Sequence, residues 1–129
     1  MKTIARLILA AALACFATAA DEPAETKPIK VEQAASQIEK GVQLLDVRTK
    51  EEWDEGHLAK AKLVTLSDDG FDERAKAVLD PAKPVIVYCR SGSRSAKAVE
   101  KLREAGFTSV RSMAGGIVAW EKEGKPVVK

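Results

Sequence analysis

Cys89 is the residue in this chain best placed to do chemistry. It is followed by Arg90, Ser91, Gly92, Ser93 and Arg94. A thiolate is intrinsically nucleophilic and needs no dedicated base once its pKa is lowered. The loop supplies two guanidinium groups and contains no His, Asp or Glu. Positive charge and convergent backbone amides both favour the thiolate, and a planar guanidinium makes paired hydrogen bonds to the oxygens of an anion. The pattern predicts covalent catalysis by Cys89 on a small anionic substrate, with Arg90, Ser91, Gly92, Ser93 and Arg94 as the substrate-binding groups. A phosphate-transferring cysteine enzyme would share this logic. Its loop needs one more residue between Cys and Arg, and position 95, where that Arg would fall, is Ser.

Such a loop must be held by elements on either side. Val85-Ile86-Val87-Tyr88 is a short apolar run rich in β-branched residues, opened by Pro84. It reads as a strand buried on both faces, as in a parallel sheet. A helical pattern starts at about Ser93 and runs to Ala105, with Ala96, Val99 and Leu102 as its buried stripe and Gly106 after it. Lys97 with Glu100 and Lys101 with Glu104 are expected to face water. A cysteine at such a strand–loop–helix junction sits at the open carboxyl edge of a parallel sheet, near a helix start whose dipole favours an anion.

The remaining elements alternate in the same way. Ile29-Lys30-Val31 reads as a first strand, residues 32–40 as a helix with Ala34, Ala35 and Ile38 on one side, and residues 42–47 as a second strand. Thr49 and Glu52 have capping-box spacing for a short helix that Gly56 ends. Residues 62–66 read as a third strand and 71–79 as a helix burying Phe71, Ala75, Val78 and Leu79. Residues 108–111 form a last strand, and Gly115-Gly116 leads into a final helix through Glu123. Connections too long for hairpins argue an α/β fold with a mostly parallel sheet in one domain.

Several of these pieces resemble the rhodanese family of thiosulfate sulfurtransferases. Cys89-Arg90-Ser91-Gly92-Ser93-Arg94 is similar to its active-site loop. Leu44-Leu45-Asp46-Val47-Arg48, Glu51-Glu52-Trp53 with Gly56-His57-Leu58, and Gly115 to Trp120 with Gly124 to Val127 match in chain order. The resemblance spans roughly residues 28–129. It implies a single rhodanese-like domain with a five-stranded, mostly parallel sheet and helices on both faces. It implies that sulfane sulfur passes from thiosulfate or a persulfide to cyanide or a thiol acceptor, which could be a thiol protein, through a Cys89 persulfide. Asp46 and Arg48 then stand behind the loop without touching substrate, as mainly structural residues. The family usually has Pro and Gly where this chain has Ala59 and Lys60. A non-catalytic persulfide carrier or interaction module is the alternative reading.

The rest of the chain bounds this picture. The 129 residues suffice for one core, and the formal charge of +2 comes wholly from Lys2 and Arg6. No basic tract argues for nucleic acid. Residues 1–20 read as a signal peptide with an apolar run from Leu7 to Ala17 and small residues at its end, so the expected site of action is the periplasm. Ala12-Leu13-Ala14-Cys15 offers a lipoprotein signal as the alternative, tethering the chain to a membrane through Cys15. Residues 21–28 read as a flexible leader and 29–129 as the domain. His57 is the only histidine, and it reads as a loop residue bonded to backbone rather than a base. Trp53 and Trp120 read as core or half-core aromatics. No metal or cofactor is expected, and a monomer is.

Overall fold

The computed structural model describes residues 27–129, so the expected signal peptide, Cys15 and most of the expected leader lie outside the described residues. Nine elements follow one another: α1 (Val31–Glu39), β1 (Gln43–Asp46), α2 (Lys50–Glu55), β2 (Lys62–Leu63), α3 (Phe71–Val78), β3 (Val85–Tyr88), α4 (Ser93–Glu104), β4 (Val110–Ser112) and α5 (Gly116–Lys122). The four strands form one parallel sheet in the order β2-β1-β3-β4. This is the expected α/β architecture. Its fifth strand is reduced to a single parallel bridge between Ile29 and Met113. The reason is local: Val31 already belongs to α1 and packs into the core as a helical residue.

Alternation along β3 divides the core in two. Val85, Val87 and Cys89 face one side, with Phe71 and Ala75 of α3 and Ala98, Val99 and Leu102 of α4. Ile86 and Tyr88 face the other, with Val31, Ala34 and Ile38 of α1 and Ile117 and Trp120 of α5. A strand covered on both faces has no polar position to offer, which explains the unbroken apolar run. Two stripe assignments change. Ala96 is exposed and Ala98 takes its place, so the buried face of α4 is Ser95, Ala98, Val99 and Leu102. Val78 is exposed, because α3 ends there and Leu79, already extended, turns inward instead.

The register fixes what meets at the carboxyl edge. Asp46 lies opposite Tyr88. Asp46 and Cys89 therefore reach the same edge but point to opposite faces of the sheet. At that edge the amides of Ile117 and Val118 donate to the carbonyls of Cys89 and Arg90, at 2.9 and 3.1 Å. A Cβ on Gly116 would overlap those same two carbonyl oxygens. Glycine there, at φ +60°, is what lets α5 close against the loop.

Candidate active site

The loop between β3 and α4 wraps the sulfur with backbone. The Gly92 amide donates to Cys89 Sγ at 3.1 Å and the Ser95 amide at 3.3 Å. Gly92 adopts φ +119°, a conformation that turns its N–H inward at little steric cost. Ser95 Oγ lies 3.5 Å from Sγ and 2.7 Å from the hydroxyl of Ser112, the last residue of β4. In the thiol form Sγ–H donates to Ser95 Oγ, which itself donates to the Gly92 carbonyl at 3.2 Å; in the thiolate form the hydroxyl can turn from that carbonyl to donate to Sγ. Neither serine was singled out by its chemistry in the sequence. The available signal was Ser95's position on the buried stripe of α4, where a polar side chain needs a partner.

The thiol is buried, with Cys89 only 1 % exposed. The loop has no apolar side chain to cover it, and none is needed: the loop backbone, Ser95 and the α4 face do so. Burial is the largest single influence on its pKa and pushes it up. The Ser95 hydroxyl and the amides of Ser95, Gly92 and Ser91 act the other way and together hold it below the ordinary thiol range. The thiolate is thus stabilised chiefly by directed hydrogen bonds.

The arginines are placed differently from one another. Arg90 is exposed. Arg94 is half-buried at the first turn of α4, and its Nη1 and Nη2 donate to the two carboxylate oxygens of Glu52, both at 2.8 Å. This contact raises the Arg94 pKa and holds Glu52 down at about 2. Glu52 also completes the capping box of α2 with Thr49. Ser93 opens α4 and faces solvent.

Asp46 and Arg48 form a buried pair on the other face. Arg48 Nη2 and Nε donate to Asp46, the shortest contact being 2.7 Å, and Nη2 also donates to the Gly56 carbonyl at 2.8 Å. The guanidinium lies 5.5 Å from the centre of the Tyr88 ring. The pair thereby fastens the end of α2, the helix that carries Glu52. His57 stacks on Trp53 at 3.5 Å and its Nδ1 contacts the Trp53 carbonyl at 3.0 Å. Trp120 is buried and donates through Nε1 to the Pro126 carbonyl. Among the described residues no group of three or more His, Cys, Asp or Glu is arranged to hold a metal.

A parallel α/β domain with a cysteine on an amide-lined loop at the carboxyl edge has the architecture that a cysteine nucleophile needs. Comparison with known proteins narrows it. The family model described as Rhodanese-like domain matches residues 30–123. The chain is 35 % identical over 114 residues to thiosulfate sulfurtransferase 18 of Arabidopsis thaliana, covering 80 % of this chain and 84 % of that protein. It is 35 % identical over 116 residues to the chloroplastic thiosulfate sulfurtransferase 16 of the same plant, covering 83 % and 97 %. A crystal structure of a rhodanese-related protein from Thermoplasma volcanium superposes with a TM-score of 0.69 at 32 % identity, covering 79 % of this chain and 97 % of that one. The chain belongs to the rhodanese-like family, and these plant relatives bear sulfurtransferase names.

Proposed function

We propose that this protein is a sulfurtransferase that carries sulfane sulfur on Cys89. The observation that carries the reading is the pair of backbone amides, of Gly92 and Ser95, that donate to Sγ. These groups are preorganised for a negatively charged sulfur, whether thiolate or persulfide. With thiosulfate, the Cys89 thiolate attacks the outer sulfur. The new S–S bond forms as the donor's S–S bond breaks, and sulfite leaves with the electron pair. Cyanide or a thiolate then attacks the terminal sulfur and regenerates the thiolate. The plant relatives named as thiosulfate sulfurtransferases support this reaction class.

Intact mass decides it. The purified domain incubated with a sulfur donor should gain one sulfur atom, and cyanide should remove it. Cys89→Ser should do neither; steady-state turnover surviving in that variant would overturn the assignment. A pure carrier would load sulfur yet show no steady-state turnover. Ser95→Ala should raise the midpoint of Cys89 alkylation by iodoacetamide, because it removes the hydroxyl that helps hold the thiol pKa down. For cellular placement we propose export directed by residues 1–20, so the mature chain should begin at Ala20 or Asp21 on N-terminal sequencing.

A further inference from the structure

The guanidinium expected to receive an anionic donor is already engaged by a carboxylate. Both terminal nitrogens of Arg94 bond Glu52. The same carboxylate accepts the Thr49 amide and the Thr49 hydroxyl, each at 3.1 Å on Oε1. Donors from two elements thus fix Glu52 in place, and at any working pH it carries a full negative charge. Arg90, exposed and without an ion pair among the described residues, is the loop's other cation. Around the sulfur the positive charges of Arg90 and Arg94 are offset by those of Glu52 and the Cys89 thiolate. Side-chain charge therefore gives a dianion approaching this edge no net attraction, and the dianion meets Glu52 where it would bond Arg94. A donor whose sulfane sulfur is bound to an uncharged carbon group carries at most one negative charge and meets less of this repulsion.

Resting on the sulfur-transfer reading above, we propose that Glu52 is a specificity-determining residue that biases the site against dianionic donors and toward carbon-bound persulfides, R–S–SH. In that reaction the Cys89 thiolate attacks the outer sulfur. A Cys89–S bond forms, the donor S–S bond breaks, R–S⁻ leaves with the electron pair, and the proton stays on the transferred sulfur. Atoms and charge balance without an added oxidant or reductant.

The test follows single-turnover loading of Cys89 by intact mass, with thiosulfate and with the persulfide of 2-mercaptoethanol, which carries at most one charge. Glu52→Gln keeps the shape and a cap acceptor but removes the charge. It should speed loading from thiosulfate about three- to fivefold, the scale of one partly exposed charge interaction, and change loading from the alkyl persulfide less than about twofold. Thr49→Ala weakens the same cap while leaving the Arg94 pair, and should leave the ratio between donors unchanged. An unchanged ratio in Glu52→Gln, slower thiosulfate loading in it, or an equal shift in Thr49→Ala would overturn the inference while leaving sulfur transfer intact. Wild-type protein that loads from neither donor would overturn the sulfur-transfer reading itself.

Discussion

Two carboxylate–arginine pairs stand near the same edge of the sheet, and they differ in almost every physical respect. Asp46 and Arg48 are two residues apart and sealed, their side chains 0 % and 5 % exposed. Glu52 and Arg94 are separated by 42 positions and lie half open to solvent, at 25 % and 36 %. The first pair is surrounded by other partners: the Arg48 amide, the Gly56 carbonyl and the Tyr88 ring. The second bridges two helices, beside the loop that holds the sulfur. The contrast shows how one kind of contact serves as framework when buried and as an adjustable charge when solvated. Removing one partner of a buried pair strands an ion, whereas solvent can take over at an open one.

The sharpest way to break this comparison is Asp46→Ala. It leaves Arg48 buried with one carbonyl and a ring face. The expected loss is about 3–5 kcal/mol of unfolding free energy, read from a lower urea midpoint at unchanged slope. A loss below about 1 kcal/mol would mean that the Asp46 pair behaves like the open one.

A second change probes what the buried pair holds. Arg48 fastens Gly56, and the turn that follows ends at Lys60 with φ +72°. This is the position where the family usually has Gly. A side chain in that conformation is strained, and part of the gain from removing it is offset by the greater freedom of glycine in the unfolded chain. Lys60→Gly should therefore stabilise the domain by about 1 kcal/mol or less. A lower melting temperature would show that the Lys60 side chain contributes more than its backbone costs.

These contacts also show what the sequence could and could not say. The β3 run, the capping box at Thr49 and the place of Cys89 were legible because each depends on neighbours in the chain. The Asp46–Arg48 pair was partly so, since its partners are two residues apart. The Glu52–Arg94 contact was not: the cap already accounted for Glu52, and Arg94 looked free to take substrate. The Ser95–Ser112 contact was hidden for a similar reason, because it needs β4 beside β3. The Ile29 strand failed where helix α1 claims Val31, a competition that two β-branched residues in a triplet cannot reveal.

The smallest expected effect is the most discriminating for the open pair. Glu52 is held at about 2, below its ordinary 4.5, first by the Arg94 hydrogen bonds against a burial cost and then by Thr49. A carboxyl whose folded pKa is depressed adds stability that is fully present above its unfolded pKa. That stability fades as the pH falls toward the folded value. Wild type should therefore exceed Glu52→Gln by a constant margin above about pH 4.5, and the margin should shrink between there and about pH 2, where protonated Glu and Gln become near-isosteric. Solvent at the pair keeps the margin small, about 0.2–1 kcal/mol. Paired urea titrations from pH 6 downward measure it. Because the shift is downward, part of the margin should survive at pH 4, where an ordinary carboxyl is already largely protonated. A margin that vanishes by pH 4 would show that Arg94 does not hold Glu52 in solution, and Arg94 would then be free to receive an anion after all.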